Sequence, residues 1–219
     1  MSAVLGYWKI KGLAQPIRLL LEYLNISYKD EMYETGPAPD FNKDSWLTKK
    51  FNMNLDFPNL PYYKDADVHL TQSHAIMQYI AQSNKMGGSN AKERATLAMI
   101  NGAVDDIRWS MVSVFYNPDF EKLKPGFLQN LPKGLQMFEN YLKKHQWISG
   151  DKIDYPDFNL CDVLNTLKAL QPDCLDNFPN LQKLLSNFMA LPRIAAYMNS
   201  PRVKELPFNN KMAAWGTGN

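Results

Sequence analysis

The chain has 219 residues, of which 45% are hydrophobic and 21% charged, and its formal net charge is +2. That length and apolar share suit one large or two modest globular domains with a real core. No Lys/Arg block is longer than pairs such as Lys49-Lys50 and Lys143-Lys144, which argues against nucleic acid as a partner. No stretch approaches the ~20 uninterrupted apolar residues of a membrane span. Two cysteines, Cys161 and Cys174, are too few for a disulfide scaffold and form no Cys-x-x-Cys pattern. The start lacks a basic segment leading into an apolar run, so no secretory leader is expected. These features predict a reduced, cytoplasmic protein.

Residues 3 to 7 read as a short strand, and Tyr7 and Trp8 stand at its end. Pro16 opens a helix, where its missing N–H costs nothing. Ile17, Leu20, Leu21 and Leu24 follow at i, i+3, i+4 and i+7, predicting a helix that ends near Asn25. Residues 28–33 are β-prone and predict a second strand. After the loop "ETGPAPDF", residues 44–52 are weakly helical. "DFPNLPYYKDADVHL" predicts third and fourth strands joined by a tight turn at Asp65-Ala66-Asp67, an antiparallel hairpin. "TQSHAIMQYIAQ" then predicts a capped helix with Ile76, Tyr79 and Ile80 on one face. A β-α-β half followed by β-β-α is the thioredoxin-like arrangement.

"NKMGGSN", residues 84–90, breaks the pattern and reads as a linker. Helices are expected throughout the rest of the chain. They are residues 91–116, residues 127–144 with Leu128, Leu131, Leu135, Phe138 and Leu142 on one stripe, and stripes around Leu160–Leu167 and Leu181–Phe188. The expected fold class is therefore α/β plus all-α. Residues 1–83 form a thioredoxin-like domain, 84–90 a linker, and 91–219 a helical bundle.

His69, His74 and His145 are scattered without acidic or thiol partners at ligand spacing, so no metal site is expected. There is no Gly-x-Ser-x-Gly elbow and no Gly-rich phosphate loop. What remains lies at element ends. A cis bond before Pro61 would turn the backbone of Leu60 outward to a ligand. Thr71-Gln72-Ser73 sits at a helix N-terminus, where free N–H groups attract anions. Trp46 and Lys50 are four apart, so on a helix they share a face that could hold a carboxylate. Together these describe a pocket for a small peptide-like ligand with two carboxylates. Each residue taken singly also has an ordinary structural meaning: Ser73 as an N-cap, Lys50 as surface charge.

The stretches "LGYW", "RLLLEY", "GPAPDF", "FPNLPYY", "TQSHAIMQYIA", "YNPDFEK" and "FPNL", in this order, closely resemble cytosolic glutathione transferases of the mu class over essentially the whole chain. The resemblance implies that Tyr7 is catalytic and donates a hydrogen bond to the glutathione sulfur. It places the glycyl carboxylate on Trp8, Lys43, Trp46 and Lys50, the cysteinyl unit on Leu60 beside Asn59, and the γ-glutamyl unit on Gln72 and Ser73. Asp106 matches an acid that reaches the γ-glutamyl amine from a neighbouring subunit, and Phe57 matches an aromatic key inserted into that neighbour. Both imply a homodimer. Ile10, Leu13, Val112 and Tyr116 match the pocket for a small, apolar, electrophilic acceptor. Glutathione is a cosubstrate, and no other cofactor, metal, nucleic acid or membrane partner is implied.

Some positions depart from the class pattern. Lys43 replaces a usual Arg, keeping the charge and losing the bidentate fork. Asp154 replaces a Ser or Thr helix cap. Trp109, Asn209 and Asn210 alter the acceptor pocket or its edge. Two other classes stand beside the enzyme: a carrier of apolar molecules in a dimer cleft, and a structural descendant of the fold. The intact set around Tyr7 argues for the enzyme.

Overall fold

A computed structural model describes residues 2–218. Its first part is a four-stranded sheet with β1 at Ala3–Trp8, β2 at Tyr28–Tyr33, β3 at Tyr62–Lys64 and β4 at His69–Thr71, in the order β2-β1-β3-β4. β1 and β2 are parallel, while β3 is antiparallel to both β1 and β4. A parallel neighbour demands a crossover, and the helix α1 (Gln15–Tyr23) provides it. Gly6 pairs with Tyr62 across the sheet, and a Cβ there would run into the Tyr62 ring. The glycine thus lets the Tyr62 ring lie across β1. On that side Trp46 stacks on Tyr62, with ring centroids 6.1 Å apart, and meets Tyr33 edge-on at 5.3 Å.

α1 begins with Pro16 in its first turn, as the sequence predicts, and ends at Tyr23. Ile17, Leu20 and Leu21 are fully buried, and so are Leu19 and Arg18. The helix is buried nearly all round because it lies between the sheet and later helices, touching α3 (Ser73–Ser83), α6 (Tyr155–Leu170) and α8 (Pro192–Asn199). α2 covers Asp44–Lys50, and the hairpin turn falls at Asp65, Ala66 and Asp67.

α3 corrects one expectation. No side chain caps it; Ser73 is already helical, and Gln72 occupies the N-cap with φ +68° and ψ 113°. A left-handed φ on a non-glycine residue costs about 1–3 kcal/mol and persists only where the surroundings impose it.

The second part is helical: α4 (Ala91–Phe115), α5 (Phe120–Leu142), α6, α7 (Pro179–Met189), α8 and α9 (Pro201–Lys204). α5 begins at Phe120, a turn or more before the predicted 127, and runs through Pro125 and Pro132. An interior proline removes a backbone hydrogen bond. Here the buried face formed by Phe120, Leu131, Leu135, Phe138 and Leu142 holds the helix together. α6 is the centre of the core, with Phe158, Leu160, Cys161, Val163, Leu164 and Leu167 at zero exposure. Its start is closed by a capping box: the Asp154 side chain accepts from the N–H of Asp157, and the Asp157 side chain accepts from Asp154 N–H at 3.0 Å; Asp154 accepts from Tyr155 N–H as well. Asp154 also accepts from the N–H of Gly87, tying the 84–90 segment to α6. Burial pushes the Cys161 thiol well up, which makes it unreactive.

Candidate active site

The end of β1 carries Tyr7 into the molecule. Its ring is 6% exposed, and its hydroxyl accepts from the backbone N–H of Leu13 at 3.2 Å. A hydroxyl has one hydrogen to give, so this bond leaves the Tyr7 proton free for a ligand. The turn that supplies Leu13 spans Gly12–Ala14 and leads into α1. Gly12 has φ +42°, and a Cβ there would lie 2.8 Å from both Oη and Cε1 of Tyr7. Only glycine lets the turn close over the phenol this tightly. Burial pushes the Tyr7 pKa up to about 12, against the opposing hydrogen bond from Leu13 and the charges of Arg18 and Arg108. The group is therefore a phenol, not a phenolate, throughout the physiological range.

Tyr7 forms part of the wall of a cavity of about 240 Å³. The first part of the chain contributes Trp8, Ile10, Lys11, Gly12, Leu13 and Lys43. α4 contributes Arg108, Met111, Val112 and Phe115, a single helical face, with Trp109 beside it and Tyr116 at the helix end. α6 adds Asp162 and Thr166, and the C-terminal segment adds Phe208, Asn209, Asn210 and Met212. Tyr116 Oη accepts from the N–H of Asn210 at 2.9 Å, so its proton too is free to be donated. Asn210 is fixed in turn by Thr35, whose Oγ1 donates to its Oδ1 at 2.6 Å. Lys11 N–H and Gly12 N–H donate to the carbonyls of Pro207 and Phe208, while Trp215 packs on Phe115 and Phe208. The tail is thus bonded to both parts of the chain and walls the cavity.

Of the residues singled out in the sequence, the structure brings Tyr7, Trp8, Ile10, Leu13, Lys43, Val112 and Tyr116 to this cavity. Trp109, Asn209 and Asn210 line it as well, while the remaining glutathione and dimer candidates lie outside its wall. Trp46 is buried in the aromatic stack, while Lys50 is half-buried at the end of α2, its Nζ 5.2 Å from the ring centre of Phe51. Leu60–Pro61 is cis. The N–H of Leu60 donates to Asn59 Oδ1 at 2.9 Å. The short Asn side chain precedes it and folds back, a local bond that sequence spacing does not reveal. Gln72 is exposed and Ser73 half-buried at the start of α3. Phe57 is 78% exposed. Asp106 is exposed and, among the described residues, forms no ion pair or hydrogen bond through its side chain.

Asp105, its neighbour, turns inward and meets His74 Nε2 of α3 at 2.7 Å, and it accepts from Asn159 at 3.1 Å. One residue along a helix is a rotation of about 100°, which sends two consecutive acids to different faces.

Sequence reasoning missed two buried arginines. Arg18 is fully buried in α1. Its Nε and Nη2 donate to Asp30 of β2 at 2.8 and 3.3 Å, and its Nη1 donates to the carbonyl of Ile10 at 2.8 Å. It therefore ties the loop after Tyr7 to the sheet. Arg108 in α4 donates from Nε and Nη2 to Asn159 and from Nη2 to Asp162 at 2.8 Å. A lone Arg inside an otherwise apolar helical stripe is the signal that could have found both, since a charge is buried only with partners.

Residues 3–82 match the family described as "Glutathione S-transferase, N-terminal domain", and residues 105–201 match "Glutathione S-transferase, C-terminal domain". The chain is 45% identical over 216 residues to Glutathione S-transferase Mu 1 of Bos taurus, covering 99% of each. It is 43% identical to Glutathione S-transferase Mu 1 of Mus musculus, covering 98% of this chain and 99% of the relative. Among solved structures, the glutathione S-transferase Blo t 8 superposes with a TM-score of 0.89 at 31% identity, over 97% of this chain and 99% of that one. Matches to both family domains, full-length identity at this level and a shared fold agree with the buried phenol at the end of β1: this chain belongs to the glutathione S-transferase family, in its mu class.

Proposed function

We propose that this transferase joins the sulfur of glutathione to an electrophilic carbon of a mostly apolar acceptor, with Tyr7 as the donor that holds the sulfur as thiolate. One observation carries the reading: Tyr7 Oη is already occupied as an acceptor by Leu13 N–H, which leaves its proton to give at a cavity wall. A free thiol titrates near ~8.5. Lowering that by about two units requires roughly 2.7 kcal/mol at 1.36 kcal/mol per unit. One hydrogen bond to a charged group supplies ~1.5–3 kcal/mol. The thiol proton leaves to solvent, and the thiolate attacks the acceptor carbon to form the C–S bond. Tyr7 keeps its own proton throughout, which its raised pKa supports.

In this reading residues 1–83 hold glutathione, and residues 91–219, past the 84–90 linker, furnish most of the acceptor pocket. Trp8, Lys43, Trp46 and Lys50 take the glycyl carboxylate. Leu60 binds the cysteinyl unit through its backbone, and its N–H exchanges Asn59 Oδ1 for the ligand carbonyl. Gln72, with its imposed left-handed backbone, and Ser73 take the γ-glutamyl unit at the N-terminus of α3. Ile10, Leu13 and Val112 contact the acceptor, and Tyr116 donates its free proton to it. The protein acts as a homodimer: the exposed Phe57 needs a partner to bury it, and the unpaired Asp106 reaches the γ-glutamyl amine of glutathione on a second copy. Two free thiols, Cys161 and Cys174, are in keeping with the reducing cytoplasm.

The direct test is conjugation of chlorodinitrobenzene with glutathione, followed by absorbance. Turnover is expected. Its absence, together with tight uptake of apolar dyes, would establish the carrier reading instead. Asp106→Ala is expected to weaken glutathione binding about tenfold while leaving the dimer intact by sedimentation. Equal loss of binding and dimerisation would make Asp106 a structural residue.

A further inference from the structure

The acceptor cavity is apolar over most of its wall, yet three cations reach it: Lys43, exposed at its rim and assigned to the glycyl carboxylate, and Lys11 and Arg108. Lys11 lies in the loop after β1, half-buried, with Nζ 3.8 Å from the ring centre of Phe208. Among the described residues no carboxylate lies within ion-pair distance of that ammonium. Arg108 is 4% exposed; it uses Nε and Nη2 on Asn159 and Asp162, while Nη1 has no acceptor among the described residues. Asp162 is the one acid on the cavity wall, and it is held by Arg108. Apart from the exposed Lys43, the wall therefore carries one uncompensated positive charge, on Lys11, and an unused guanidinium N–H on Arg108.

An ammonium in such a place is costly by itself. Burial pulls the Lys11 pKa down, and the charge of Asp162 only partly offsets this. The face of Phe208 supports a cation weakly beside what an anion would supply. A lysine that served only to cover apolar surface would carry its ammonium out to water.

We propose that Lys11, with Nη1 of Arg108, forms a carboxylate subsite within the acceptor cavity, so that the acceptors this enzyme prefers are apolar electrophiles carrying an acid group. The inference rests on the proposed conjugation and narrows its acceptor class. A carboxylate on the acceptor would take the unpaired ammonium and the free N–H, while the rest of the acceptor stays against Ile10, Val112 and Phe208.

The test compares two aryl chlorides with the same reacting carbon: the chloronitrobenzoate with chlorine ortho to the nitro group and para to the carboxylate, and its neutral methyl ester. In both, the glutathione thiolate adds at the ring carbon, the C–S bond forms, and chloride leaves with the electron pair of the C–Cl bond. Each kcat/KM is divided by the uncatalysed rate constant with glutathione, which removes the electronic difference between acid and ester. The wild-type protein is expected to favour the carboxylate at least about fivefold, with the preference falling as salt rises. Lys11→Met should bring the ratio close to one, and Lys11→Arg should preserve it. Three results would overturn the proposal. The first is a wild-type ratio of one or below. The second is no turnover of the carboxylate while chlorodinitrobenzene is conjugated. The third is a Lys11→Met enzyme slowed equally on both acceptors, which would place the ammonium on the thiolate instead. If chlorodinitrobenzene is not conjugated either, it is the underlying reading that fails.

Discussion

Tyr7→Phe is expected to raise the pKa of enzyme-bound glutathione by more than one unit and to lower turnover at neutral pH about 10- to 100-fold. Phenylalanine keeps the ring that fills the space under Gly12 and deletes only the hydroxyl. The variant should therefore fold and bind glutathione almost normally. The change lies in the thiolate, which loses a donor worth ~1.5–3 kcal/mol. The pH profile separates this role from a structural one. In the wild type, kcat/KM should rise with the ionisation of the bound thiol and then stay level. No falling limb from Tyr7 is expected below about pH 10, because burial holds the phenol up to about 12. In the variant the rising limb should move to higher pH. An unmoved limb, or an unchanged thiolate absorbance titration, would remove Tyr7 from its assigned role.

Arg18→Met should be the most destabilising of the substitutions considered, at about 3–5 kcal/mol. It leaves Asp30, whose side chain is only 13% exposed, without its cation, and the carbonyl of Ile10 without its donor. The midpoint of urea unfolding at fixed protein concentration reads this directly. Pairing it with Asp30→Asn should recover part of the loss, because the uncompensated carboxylate is then removed. The surviving folded enzyme should also be slow. Ile10 and Lys11 lead into the turn that hydrogen-bonds Tyr7, so loosening the loop loosens the phenol. A loss below about 1 kcal/mol would mean that the arginine does not anchor the loop.

The order of elements was legible because each carries a local signal. Pro16 starts α1, apolar residues at helical spacing mark its buried face, the Asp65-Ala66-Asp67 turn makes the hairpin, and the glycines of 84–90 interrupt the helices. The start of α5 was not legible. Pro125 and Pro132 argue locally against a helix that burial of Phe120 and Leu131 nevertheless sustains. Gln72 was expected to belong to a capped helix start, and it stands in a left-handed conformation that neighbours impose and propensity cannot predict. Leu60 was expected to offer its N–H, and the Asn59 side chain takes it.

By itself the sequence determined the two-part architecture and, through its resemblance over the full length, the class of enzyme, and it pointed to Tyr7. Both follow from patterns carried by neighbouring residues along the chain. Only the tertiary structure decided what surrounds the phenol. Leu13 occupies its lone pair, Gly12 closes over it, Arg18 anchors its loop to β2, and Lys11 and Arg108 charge a cavity that pattern alone describes as apolar. Those partners come from the loop and turn after β1, from α1 and from α4. Burial and hydrogen bonding across such distances depend on packing, which no local spacing encodes.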